Sequence, residues 1–147
     1  MGLDMMMYRE HQQTNKSEPN YDDLEEIAYW RKFNALHNWF VRNVQDNIDD
    51  CNYYKLTRDI LETLLDILKY IKDNSDDLDY INENLPPTAG FFFGSTDIDE
   101  YFIEDIVNTY DKIYKILNGE ELQETFGDGI IEPVNFEIDT LYYISSW

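Results

Sequence analysis

Residues 29–40 constrain this chain more than any other stretch, because twelve positions hold five aromatic residues, two cations, two amides and a histidine. A surface helix keeps its large apolar groups on one stripe. At about 3.6 residues per turn the groups here point several ways, which predicts a central helix contacted from more than one side. The flanking sequence extends it. Asn20 or Asp22 offers an N-cap, Asp23, Glu25 and Glu26 complement the dipole of the first turns, and Ile27, Trp30, Phe33, His37, Phe40, Val41 and Val44 recur at helical spacing. One long helix over residues 21–44 is the expectation.

Two more helices follow. Thr57 reads as the N-cap of a helix reaching about Lys72, whose Ile60, Leu61, Leu64, Leu65, Ile67, Leu68 and Ile71 make the strongest helical pattern in the chain. A third opens at Ser95 or Thr96 and runs to Leu117 and Asn118, where Gly119 supplies the stop. The connection over residues 73–95 is acidic at first, with a short helical turn expected near Leu78 to Asn82. It then passes through Pro86-Pro87 and places Phe91, Phe92 and Phe93 between glycines, as an anchor into the core. Beyond the Gly127-Asp128-Gly129 turn, Val134, Phe136 and Ile138 alternate with polar residues and residues 141–144 are β-prone. Residues 1–20 lack an apolar period and read as a mobile tail. The expected fold is mainly α (α+β): a single domain over 21–147 with a three-helix core, a long Pro/Gly/Phe loop, and a small C-terminal β pair or extended tail.

Charge decides which functions are open. The net charge is -20, yet 43% hydrophobic residues are enough for a core, and high charge predicts disorder only where apolar content is low. Residues 1–72 hold 9 basic and 13 acidic groups, whereas residues 73–147 hold 2 and 18. Such a surface repels phosphates and anionic membranes and attracts basic partners. No apolar run approaches the roughly 18 residues of a membrane span, and Asp4 interrupts the start too early for a signal peptide. A lone cysteine, Cys51, fits a reducing compartment, so a cytoplasmic protein is expected.

Two constellations are candidates for function. On the first helix Trp30, Arg31, Asn34, His37 and Asn38 share adjoining stripes, which suits a pocket for an anionic or planar ligand such as a nucleotide. The same groups suit better a structural cluster that bonds the backbone of the 86–95 loop, because buried polar groups need partners. On the third helix Asp97, Glu100, Glu104 and Asp111 recur at turn spacing, with Asp99 and Asp105 adjoining. Carboxylates one turn apart lie roughly 6 Å from each other, close to the roughly 7 Å between phosphates two nucleotides apart. An acidic face of that pitch fits a groove built for nucleic acid. Catalysis finds less support: Cys51, flanked by Asp50 and Asn52, lies in an anionic setting that does not favour a nucleophilic thiol, and His37 alone gives zinc too few ligands. The acidic runs also lack the glycine and glutamate of a calcium loop. No catalytic residue, cofactor or metal is expected.

Trp30-Arg31-Lys32 with Asn34, His37, Trp39 and Phe40, then residues 85–95 (LPPTAGFFFGS), then Tyr143-Ile144-Ser145-Ser146-Trp147 occur in that order. Over about residues 22–147 these anchors resemble a small-protein family common in bacteriophage and prophage genomes. The resemblance implies a phage-borne cytosolic protein and a shared fold, and it carries no activity. The leading expectation is a non-enzymatic acidic protein that inhibits or modulates a basic, nucleic-acid-binding host or defence protein, without touching nucleic acid or membrane. The alternatives are a nucleotide-binding protein using the Trp30 cluster and a homo-oligomer.

Overall fold

The computed structural model describes residues 2–90 and 94–147. Four antiparallel strands make its sheet: β1 (Asp4–Glu10), β2 (Leu24–Arg31), β3 (Tyr54–Leu56) and β6 (Thr140–Ser146), in the order β2-β1-β6-β3. A separate hairpin joins β4 (Leu122–Gln123) to β5 (Ile130–Ile131). The helices are α1 (Asn34–Asn43), α2 (Arg58–Asp73), α3 (Leu78–Asn84) and α4 (Glu100–Leu117). With 38% helix and 20% strand this is an α+β fold, and the expected three-helix core is overturned.

The largest correction concerns residues 21–44. A 3₁₀ turn at Tyr21–Asp23 leads into β2, Lys32 turns the chain at φ 55°, and α1 starts only at Asn34. Strands are recognised by alternation, but β2 carries a bulge: its register with β1 shifts between Met7 and Tyr8, and consecutive Ile27 and Ala28 are both buried. One extra residue erased the period of two. The first strand escaped notice for a related reason, since buried Arg9 and Glu10 make its end look polar. Residues 4–10, expected within a mobile tail, are hydrogen-bonded to β2 on one side and β6 on the other.

The C-terminal segment also differs. Residues 134–138 turn instead of pairing, with Ile138 N and Asp139 N both donating to Asn135 O. The β-prone residues 141–144 do form a strand, but it lies inside the sheet. Thr57 caps α2 as its sequence predicts, accepting from Ile60 N at 3.2 Å, and Gly119 takes φ 63° just past α4. Phe91, Phe92 and Phe93 lie outside the described residues.

One face of the sheet is packed. Met5, Met7, Ala28, Trp30, Leu141 and Tyr143 point into a core shared with Leu36 and Phe40 of α1, Leu64 and Leu68 of α2, and Ile106 and Ile113 of α4. Full burial of a large apolar side chain contributes about 1.5–3 kcal/mol, so this layer fixes the helices on the sheet. Phe40 stacks on Tyr143 at 4.1 Å, and Trp30 Nε1 donates to Thr109 Oγ1 at 2.9 Å. Among the described residues no helix is long and apolar enough to cross a membrane.

Candidate functional site

The Trp30 cluster is not one site. With Trp30 in β2 and the rest beyond the turn at Lys32, neighbouring positions face different parts of the molecule. Trp30 enters the core, whereas Arg31 lies on the opposite face of the sheet and pairs with Asp4 at 2.9 Å. Asn34 holds the loop: its Oδ1 accepts from Thr88 N and its Nδ2 donates to Ser95 O, both at 2.8 Å, on either side of the three phenylalanines. Gly94 passes so close that a Cβ there would sit 3.1 Å from the Lys32 Cβ, at a φ of +91° that already favours glycine. Asn38 is half-buried.

His37 belongs to a different network. Its Nδ1 lies 2.6 Å from the Tyr143 hydroxyl and its Nε2 2.8 Å from Asp49 Oδ1, which also accepts from Trp147 Nε1 at 3.2 Å. Burial lowers the His37 pKa, opposed by its bond to Asp49, and pushes the Tyr143 phenol well above its ordinary value. A neutral imidazole accepting from Tyr143 and donating to Asp49 satisfies all three groups. The chain of bonds ties α1, residues 46–51 and the end of β6 together, and the fully buried Tyr143 hydroxyl is closed to a substrate.

The six carboxylates near α4 divide by role. Asp99 is the helix N-cap, accepting from Tyr101 N and Phe102 N at 3.1 Å, which delays the helix start to Glu100. Asp111 pairs with Lys115 at 3.2 Å. Asp105 has an exposed tip yet lies close enough to the protein that desolvation, then Glu104, raises its pKa, while Lys112 lowers it. Asp97 lies in the loop before the helix, at an acidic hollow of about 270 Å³ that also borders Asp99 and Asp105. Glu100 and Glu104 remain: both are exposed, one turn apart, and without an ion pair among the described residues. Exposed Tyr101, Val107 and Tyr114 flank them on the same helix.

Carboxylates elsewhere in the helical layer enlarge this surface. Residues 58–117 hold 14 acidic and 5 basic side chains. Tyr70 of α2 and Tyr80 of α3 stack at 3.9 Å, Tyr70 donates to Asp77 at 2.7 Å, and burial, then the charges of Asp66, Asp77 and Glu83, raises the Tyr80 pKa. Asp77 also caps α3 through Tyr80 N. Tyr80 is legible in the sequence as an aromatic beside carboxylates, but its pairing with Tyr70 was missed; the available signal was Asp77 three positions before Tyr80, a cap spacing.

A buried and a half-buried cation were also missed. Arg9 reaches Glu25, Asp139 and Pro133 O, and Lys112 donates to Tyr29 O at 2.8 Å while lying 5.1 Å from the Trp30 ring centre. Burial lowers the Lys112 pKa, against Asp105, Asp111 and Glu26. Comparison with protein-family models, curated proteins and solved structures finds no match for this chain.

Proposed function

We propose that this chain is a non-enzymatic binding protein, phage-borne as its motifs imply, which docks its acidic helical layer into the nucleic-acid groove of a basic host or defence protein in the cytoplasm. The observation that supports the reading most is the outer face of α4. Glu100 and Glu104 lie side by side among exposed Tyr101, Val107 and Tyr114 on an 18-residue helix fixed to the core by Phe102, Ile106 and Ile113. Carboxylates give long-range attraction to a basic groove, and the aromatic groups give buried area once contact is made. Asp99 caps the helix and Asp111 pairs with Lys115, so the docking charge falls first on Glu100, Glu104 and the carboxylates of α2 and α3.

The test is a pull-down from bacterial lysate with the intact chain as bait. A basic nucleic-acid-binding protein should be captured, released by added DNA or RNA, and lost as salt rises. The Glu100→Lys/Glu104→Lys variant, confirmed as folded by circular dichroism, should fail to capture it. A captured protein that holds nucleic acid and this chain together, or binding indifferent to salt and to the reversal, refutes the proposal.

A further inference from the structure

The sheet has a second face, and its composition is unusual. An antiparallel sheet packed on one side commonly presents polar residues on the other. Here the outward positions carry half-buried Met6, Tyr8, Tyr29 and Ile144, with Tyr142 fully buried among them and half-buried Tyr53 beside it. The register places them together, since Met6 lies opposite both Tyr29 and Ile144, and Tyr8 lies opposite Tyr142. Tyr53 contacts the Tyr8 and Tyr142 rings at 6.1 and 6.2 Å. Met6, Tyr8, Tyr142 and Ile144 have no place in the core cluster. Among the described residues, Tyr21 reaches Tyr53 at one side and Phe126 reaches Tyr29 at another, each through an exposed ring.

Charge selects the occupant. The sheet's outward positions bear Asp4, Glu10, Glu26, Arg31 and Lys55, a formal net of -1 (two cations and three carboxylates), against -9 for residues 58–117 (5 basic, 14 acidic). Four of these are already engaged: Arg31 pairs with Asp4, Glu10 accepts from the Tyr142 hydroxyl, and Lys55 donates to Thr14 O at 2.8 Å. A basic partner gains more from the helical layer. For a second copy the opposite holds, because a dimer joined through this face opposes two nearly neutral surfaces and points the acidic layers away from each other.

We infer that two copies of this chain associate face to face through the outer surface of the sheet, burying the Met6, Tyr8, Tyr29 and Ile144 patch. Strands of 7, 8, 7 and 3 residues at about 3.3 Å per residue and about 4.8 Å apart present at most about 400 Å² per copy, below the roughly 800 Å² per partner of a standard stable interface. The dimer is therefore weak and concentration-dependent. Added salt strengthens it by screening the repulsion between the outer layers.

Sedimentation velocity on the intact chain over a wide concentration range tests this. A monomer–dimer equilibrium should appear, shift toward dimer with salt, and vanish in Met6→Lys, which makes the chain less negative so that added repulsion cannot explain the loss. Glu104→Lys, on the other layer, should keep the dimer. A chain that stays monomeric at every concentration and salt overturns the inference, as does a dimer that persists in folded Met6→Lys. If Met6→Lys does not fold, hydroxyl-radical footprinting of the wild type decides: oxidation of Met6 and Tyr29 should fall as concentration rises while that of Tyr101 stays constant, and unchanged Met6 oxidation through the dimerisation range overturns it.

Discussion

Replacing Arg9 with methionine should destabilise the fold by about 3–5 kcal/mol, the cost of breaking a buried ion pair by removing one partner. The side chain has 1% of its surface exposed and lies at the end of a strand paired on both sides. Its Nη1 donates to Pro133 O at 2.8 Å and lies 3.4 Å from buried Asp139, while its Nε donates to Glu25 at 3.0 Å. A hydrogen bond from a charged donor contributes about 1.5–3 kcal/mol. The Glu25 pair adds about 0–1 kcal/mol, because that carboxylate is 39% exposed and partly screened. Asp139 keeps its bond from Asn135 N at 2.9 Å but loses its countercharge. Methionine preserves much of the volume, so most of the loss is electrostatic. Urea denaturation should show the midpoint falling by about 2 M at a slope of 1–3 kcal/mol/M. Adding Asp139→Asn to Arg9→Met should cost less than the sum of the two single changes, since no charge is then left stranded. A loss below about 1 kcal/mol, or strict additivity of the two changes, would refute the assignment of Arg9 as the buried tie between the sheet and residues 133–139.

Three further outcomes follow from contacts already described. Burial holds His37 below its ordinary pKa, so the unfolded chain binds the proton more tightly. That contribution to stability is full above about pH 6.5 and is lost as pH falls toward the native pKa; His37→Gln should flatten this part of the urea-midpoint profile, and parallel profiles would count against it. Asn34→Ala removes two bonds to the loop and should cost about 1–3 kcal/mol, with faster proteolytic cleavage between Thr88 and Ser95; unchanged cleavage would mean that the loop is held elsewhere. Asp99→Ala should cost about 1 kcal/mol, whereas Asp99→Asn, which preserves the cap, should cost almost nothing; equal thermal losses would show that charge, not capping, matters there.

Local rules read α2 and α4 well because their apolar faces keep one period and Thr57 and Gly119 punctuate them. They failed where tertiary pairing overrides the local pattern. In β2 the bulge at Ile27 and Ala28 removed the alternation, and the remaining spacing of Trp30, Phe33, His37 and Phe40 imitated a helix across a turn. In β1 the decisive partners of Arg9 and Glu10, among them Asp139 and Tyr142, lie more than a hundred residues away. The acidic surface was legible as composition, but the division of labour was not: capping by Asp99 and pairing of Asp111 with Lys115 left Glu100 and Glu104 as the freer charges. The Trp30 cluster scattered because the turn at Lys32 points Arg31 and His37 to different networks.

The centre of the sheet joins β1 to β6, segments that meet in space only after some 130 intervening positions, as between Arg9 and Leu141. While the chain emerges from a ribosome, β1 has only β2 for company, and an isolated two-stranded hairpin is marginal in water. Met5, Met6, Met7 and Tyr8 then stand beside an unclaimed strand edge, open to pairing with another nascent chain. Slow closure of so distant a contact makes the yield of soluble protein depend on synthesis rate and on chaperone cover.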